Sequence, residues 1–386
     1  MMLPVSRPSI GQEELKEVEK VFSTGWLGLG STVFEFENKL KDYLGAKHVL
    51  AVNTGTTALH IALDAFGIKD DDEVIVPSLT FCASIQVITA LGARPVFCES
   101  GPDNLNIDVS DVKKKITTKT KAIMPVHYCG QACDMDALME IGKNQNIVII
   151  EDAAHAFGSS YKGKKIGSFG DATCFSFDPI KNLTCGEGGA VVLSDDTIAD
   201  SIRTKRILGI DKDTWHRYRN ERAWFYEVTT QGYRYHMSNI NAAIGIAQFK
   251  KITTFIQRKK EIVQKYNDAF KNIDGIKILT WNLEETAPFT YIVRVLNGVR
   301  EGLIEFLKGK GIGTGIHYIP NHLQPFFKSF ATSLPVTEQI GEEILTLPLY
   351  YDMTDEQVST VIESVSDFFV PVQPLRHEGA KKGYDV

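Results

Sequence analysis

Lys181 sits between two β-prone apolar runs, in Thr173-Cys-Phe-Ser-Phe-Asp-Pro-Ile-Lys-Asn-Leu-Thr-Cys-Gly-Glu-Gly-Gly-Ala-Val-Val192. Upstream, Ile147-Val-Ile-Ile-Glu-Asp-Ala-Ala-His-Ala-Phe-Gly158 reads as an apolar strand ending in Asp152. A strand-end carboxylate followed by a turn lysine is the arrangement that pyridoxal phosphate (PLP) chemistry needs. The amine can form a Schiff base with the cofactor aldehyde, and the carboxylate can hold the pyridine nitrogen protonated so that the ring accepts electrons. His155, just beyond Asp152, can reach the same ligand face, near the ring's phenolic oxygen. Either Asp152 or His155 alone would read as a structural residue; as a pair ahead of Lys181 they read as chemistry.

A phosphate needs its own cradle. Asn53-Thr-Gly-Thr-Thr-Ala-Leu59 joins a strand to a helix: Gly55 lets the backbone come close, and Thr56 and Thr57 offer hydroxyls beside the free N–H groups of the helix start. The bland alternative is a threonine capping its own helix. Phe81, in Pro77-Ser-Leu-Thr-Phe81, could stack on a pyridine ring from the head of a helix, although such a ring is more often core. Ser176 alternates outward from Phe175 and Phe177 and could donate to a phosphate. Gly186-Glu-Gly-Gly189 lacks the strand and helix context of a nucleotide loop and reads as a turn beside the lysine.

The elements that must position these residues follow from periodicity. Strands are predicted at 47–53, 73–77, 94–98, 121–125 and 147–150, and helices at 56–66, 81–91 and 136–144. Strands apolar throughout, separated by helices, imply a parallel sheet buried on both faces, with its ligand beyond the carboxyl ends. Asn53, Pro77, His127 and Asp152 all fall at such ends. After Gly245 a long helical pattern (238–272) leads to strands at 276–281 and 291–295 and helices at 301–309 and 355–369. The expected organisation is α/β, a large PLP-binding domain over 1–245 and a smaller α+β domain over 246–386. The tail Arg376 to Val386 is expected to fray.

Bulk properties exclude other classes. The 386 residues carry 43% hydrophobic and 23% charged residues and a net charge of −6, which gives no reason to expect nucleic acid or an anionic membrane as partner. No apolar stretch approaches the about 20 residues of a membrane span, and the start lacks a signal-peptide pattern, so the expected location is cytoplasmic. Six cysteines form no disulfide framework. Cys129 and Cys133 with His127 lack zinc-site spacing, so buried thiols and no metal are expected.

Taken together, these residues resemble the DegT/DnrJ/EryC1/StrS family of PLP-dependent sugar aminotransferases. The resemblance runs from Ser23-Thr-Gly-Trp-Leu27 through the motifs above and Pro125-Val-His-Tyr128. It continues through Gly232-Tyr-Arg-Tyr-His-Met-Ser238 and Gly311-Ile-Gly-Thr-Gly-Ile-His-Tyr318 to Leu347-Pro-Leu349. It implies an aspartate aminotransferase-like fold (fold type I), PLP on Lys181, and a homodimer whose sites are built from both chains. It implies a nucleotide-linked keto-sugar as substrate, glutamate as amino donor with 2-oxoglutarate as its product, and a place in surface polysaccharide or glycoconjugate synthesis. By the same resemblance Asp152 binds the ring nitrogen, His155 lies at its phenolic oxygen, Phe81 stacks, and Thr56, Thr57 and Ser176 hold the phosphate. Trp26, His317 and Tyr318 fall to the substrate.

Three positions depart from the family pattern. His155 stands where many relatives have glutamine, which changes the hydrogen bond but not the role. Asp178 stands where histidine or an aromatic is common, without an account from the sequence. Arg234 replaces an asparagine that reaches the partner's cofactor phosphate, and a cation can serve there. Competing readings are a sugar dehydratase, against which Lys181 speaks because those relatives carry histidine there; another PLP reaction on an amino acid; and a non-catalytic regulatory member, against which Lys181 and Asp152 speak.

Overall fold

The structure, a computed structural model, describes residues 2–210 and 226–370; the expected frayed tail, Arg376 to Val386, lies outside the described residues. Helices α1 (Gln12–Thr24) and α2 (Ser31–Leu44) precede β1 (His48–Val52), α3 (Gly55–Ala65), β2 (Glu73–Pro77), α4 (Ala83–Ala90) and β3 (Arg94–Cys98). Then come α5 (Val109–Lys115), β4 (Thr120–Ile123), α6 (Met135–Gln145), β5 (Val148–Asp152) and a short hairpin of β6 (Ser160–Tyr161) and β7 (Lys164–Lys165). Strands β8 (Ala172–Ser176) and β9 (Gly189–Leu193) and helix α7 (Asp196–Lys205) complete this half. Seven strands form one sheet in the order β1-β9-β8-β5-β4-β2-β3.

The sheet is mostly parallel. β8, β5, β4, β2 and β3 pair in parallel, whereas β9 runs antiparallel to both β1 and β8. All strands but β9 therefore share a direction, and their carboxyl ends open on one side. The continuous apolar runs have their reason in burial on both faces: Leu50 and Val52 of β1 join one core with α3 and α4, while Val49 and Ala51 join another with α2. Each strand needs apolar residues at successive positions because neither face meets water.

The helical pattern over 238–272 is not one helix. Two helices, α8 (Asn239–Phe249) and α9 (Ile252–Phe270), meet at Lys250 and Lys251. The reason is that they serve different cores. α8 buries Ala242, Ala243 and Ile246 beside α2, and a Cβ at Gly245 would sit 2.8 Å from the Phe36 ring. α9 turns its stripe of Ile262, Val263, Tyr266 and Phe270 onto a separate core. That core also takes β10 (Ile276–Ile278), β11 (Tyr291–Val295), α10 (Arg300–Gly309), β12 (Ile344–Leu347) and α12 (Asp355–Phe369), with α11 (Pro335–Glu343) preceding β12. β10, β11 and β12 form an antiparallel sheet. The chain's start returns to it: Leu3 bridges Ile312, and Val5 O accepts from Leu349 N.

Candidate active site

Above the carboxyl ends of β5 and β8, beside the start of α3, lies a cavity of about 460 Å³. Lys181, Asp152, His155, Gly55, Thr56, Phe81, Ser176, His317 and Tyr318 all line it. Thr57, Trp26 and Arg234 do not, nor do Asn53, Pro77 and His127, which the sequence places at strand ends.

Asp152 closes β5, in register with Cys174 of β8, and is buried. Its Oδ2 accepts from Ser84 Oγ at 2.7 Å and its Oδ1 from Ala154 N at 3.1 Å. Burial pushes its pKa up, against the pull of these two donors and of Lys181.

Lys181 follows β8 in a turn held by Asp178, which accepts Ile180 N on Oδ1 (3.0 Å) and Lys181 N on its carbonyl (3.1 Å). Asp178 thus stops the strand and presents the lysine, while its charge faces the same cavity. The Lys181 ammonium lies 4.1 Å above the centre of the Phe289 ring. Enclosure pushes its pKa down to about 8, although Asp178 and Asp152 pull the other way. An amine neutral this close to physiological pH is suited to attack an aldehyde.

His155 stacks on Phe289 with centroids 4.3 Å apart, and its Nε2 meets Tyr318 Oη at 3.2 Å. Its Nδ1 is buried with no hydrogen-bond partner among the described residues. Burial, with Lys181 nearby, pushes the imidazole pKa well below its usual value, so the ring is neutral. His317 enters from the segment before β12 and is held through Nδ1 by Thr346 Oγ1 at 2.8 Å. Phe81, 53% exposed, presents its ring to the cavity 5.6 Å from that of Tyr318.

The start of α3 explains both Gly55 and Thr57. Thr54 caps the helix, its Oγ1 accepting Thr57 N at 3.0 Å, while the Thr57 hydroxyl donates to Asn53 Oδ1 at 2.7 Å. The Thr57 side chain serves the cap, which leaves Thr54, Gly55 and Thr56 on the cavity wall. A Cβ at Gly55 would sit 2.6 Å from the Ser176 Cβ. Only glycine lets the helix N-terminus and Ser176 approach this closely, an arrangement of backbone N–H groups and a hydroxyl that can hold an anion.

Trp26 and Arg234 line a second pocket, of about 420 Å³, with Leu27, Ile207, Leu208 and His236. Asn239 at the head of α8 fixes its wall, taking Leu27 O and Gly28 O on its N–H and Trp26 O on Nδ2. His127, grouped with Asp152 by its strand-end position, stays out of the cavity: it is fully buried, with Nε2 at 2.8 Å from Glu151 Oε2 and Nδ1 accepting Cys133 N.

Several residues on or behind the cavity wall escaped the sequence reading. Ser84, Glu187 and Phe289 carry no local motif. Lys259 of α9 reaches across to the residue after the lysine, its Nζ donating to Asn182 Oδ1 at 2.9 Å. Asn182 Nδ2 in turn holds Ala287 O at 3.1 Å, near Phe289. Burial, reinforced by Lys181, pushes the Lys259 ammonium down to about 7.

The donor set suits PLP: a glycine-gated helix start for a phosphate, an acceptor carboxylate, a flat aromatic face, an unpartnered imidazole nitrogen and an amine. A largely parallel α/β sheet with this set above its carboxyl edge defines a PLP-dependent transferase of fold type I. The DegT/DnrJ/EryC1/StrS aminotransferase family model matches residues 8–366, and the chain belongs to that family of PLP-dependent sugar aminotransferases. It is 40% identical over 377 residues to the spore coat polysaccharide biosynthesis protein SpsC of Bacillus subtilis, covering 95% of this chain and 96% of SpsC. Spr1654 of Streptococcus pneumoniae, solved in its PMP form, superposes with a TM-score of 0.89 at 32% identity, over 95% of this chain and 100% of that one. PseC of Helicobacter pylori, an aminotransferase involved in the biosynthesis of pseudoaminic acid, gives a TM-score of 0.89 at 27% identity, over 96% and 99%. Among the described residues no helix is long and apolar enough to cross a membrane.

Proposed function

We propose that this chain transfers an amino group from glutamate to a keto-sugar carried on a nucleotide, for a surface polysaccharide or glycoconjugate. The observation that carries this reading is the entry of His317 and Tyr318, from the C-terminal half, into the lysine cavity, where they can meet a sugar above the cofactor. The similarity to SpsC, a spore coat polysaccharide biosynthesis protein, supports the polysaccharide part of this reading.

When bound, PLP supplies an electron sink for the carbon that gains or loses the amino group. In this reading Lys181 holds the cofactor and, once released, carries the proton between carbons on Nζ. Asp152 holds a proton on the ring nitrogen, and His155, neutral, faces the phenolic oxygen through Nδ1. Phe81 covers the ring, while Gly55, Thr56 and Ser176 bind the phosphate and Thr57 braces the helix start. Incubation with 2-oxoglutarate and nucleotide-linked 3-amino or 4-amino sugars is expected to release glutamate in the reverse direction. Turnover of free amino sugars alone would overturn the nucleotide linkage, and activity with pyruvate but not 2-oxoglutarate would overturn the donor.

Arg234 and Trp26 act, in this reading, in the site of a second copy within a homodimer. Support comes from their place in a pocket apart from their own chain's lysine. A cation there would hold the partner's cofactor phosphate while Lys181 is free. Lys181→Ala and Arg234→Ala homodimers are each expected to be defective at both sites. A mixed dimer collects both lesions in one site and leaves the other whole. Subunit exchange between the two should restore activity; a mixture that stays dead despite proven exchange, or a fully active Arg234→Ala, would overturn the shared site.

A further inference from the structure

Asp152 is buried, and burial favours its uncharged acid. An acid at this position would carry a proton where an acceptor is needed, so what surrounds the carboxyl matters. Ser84, in the first turn of α4, has no solvent exposure and places Oγ 2.7 Å from Asp152 Oδ2. Thr80 Oγ1, also buried, lies 3.0 Å from the same Ser84 oxygen. Each hydroxyl has one proton to give. An ionised carboxylate only accepts, so the Ser84 proton points at Asp152, and the Thr80 proton fills the lone pair that Ser84 leaves open.

The far end of this chain is anchored from the C-terminal half. Asn321, just beyond Tyr318, donates through Nδ2 to Thr80 O at 2.7 Å and to Ser78 O at 3.0 Å, and its N–H also meets Ser78 O at 2.9 Å. Asn321 is buried. The segment that carries His317 and Tyr318 into the cavity is therefore tied to the loop that carries Phe81 and leads to Ser84.

We propose that Thr80 and Ser84 form a directional hydrogen-bond relay, anchored by Asn321, that holds Asp152 ionised with its remaining lone pairs turned to the cavity. Ser84 and Thr80 are then positioning residues for the cofactor's ring nitrogen. A protonated Asp152 would either turn its own O–H onto Ser84 and reverse the whole chain, or turn it into the cavity, where an acceptor is needed. The ionised form keeps every donor matched, with Ala154 N on Oδ1 as the second. The inference rests on reading Asp152 as the partner of the ring nitrogen.

The test uses the full-length enzyme reconstituted with ring-¹⁵N-labelled PLP. In the wild type the ring nitrogen should resonate as a protonated pyridinium at neutral pH, and in Ser84→Ala it should move toward the neutral pyridine position. The affinity for pyridoxamine 5′-phosphate, which makes no bond to Lys181, should fall about 10- to 100-fold, the size of one hydrogen bond to a charged group. Thr80→Val, which keeps the side-chain shape, should shift both readouts the same way by a smaller amount, and it stands in if Ser84→Ala fails to fold. A wild-type resonance and affinity in Ser84→Ala, or a Thr80→Val protein indistinguishable from wild type, would overturn the relay. Asp152→Asn separates the two readings: if it too leaves the ring nitrogen unchanged, the assignment of Asp152 fails, and if it alone changes it, only the relay fails.

Discussion

Borohydride reduction of the purified protein, which should be yellow, is expected to fix the pyridoxyl group on Lys181 as read by peptide mapping. Lys181→Ala should lose that label and turnover together. Proton transfer by a positioned group is worth about 10²–10⁴-fold, and this variant removes the cofactor's covalent anchor as well, so its residual rate should fall at least that far. The lysine's surroundings add a pH signature. Burial pushes its pKa down to about 8, against the pull of Asp178 and Asp152. Only the neutral amine attacks an aldehyde, so the apoprotein's capture of PLP should accelerate as pH rises through about 8. An ordinary lysine would require about pH 10.4. A pyridoxyl label on another lysine would sink the assignment, and a capture profile climbing only near pH 10 would sink the account of its environment.

Asp152→Ala should separate binding from chemistry. Lys181 and the phosphate cradle at the start of α3 remain, so the variant should still take up some PLP. The carboxylate that stabilises a protonated ring nitrogen is gone, and with it the ring's capacity to accept electrons. Removing one preorganised electrostatic partner from a buried site costs about 10²–10³-fold in turnover, and a comparable loss is expected here with cofactor uptake reduced but present. Near-normal turnover would refute the role.

How much of this was legible beforehand differs from element to element. The last helix begins at Asp355 and ends at Phe369 as its apolar spacing predicts, because an amphipathic stripe is a local property and Thr354 caps it. The strand expected over 147–150 was legible because burial on both faces demands apolar residues there, although it starts at Val148 and runs on through the buried Glu151 and Asp152. The pattern over 238–272 was misleading because helical periodicity does not reveal that its two halves face different cores. Thr57 and Thr54 show a finer limit: with several hydroxyls in a row, composition marks an anion site or a cap, and only backbone geometry assigns each oxygen.

The motifs along the chain by themselves carried the resemblance to the family and its cofactor and singled out Lys181 as the candidate anchor, because a strand-end aspartate and a turn lysine lie within one stretch of sequence. The tertiary structure alone decided what surrounds them. Phe289 beneath the lysine, Lys259 behind it, Ser84 on the aspartate and Asn321 behind that come from separate segments with no pattern linking them. It also set Arg234 and Trp26 in a pocket apart from their own lysine. The physical reason is that periodicity encodes which face of an element is buried, whereas the partner met on that face depends on how sheets and helices pack across the whole chain.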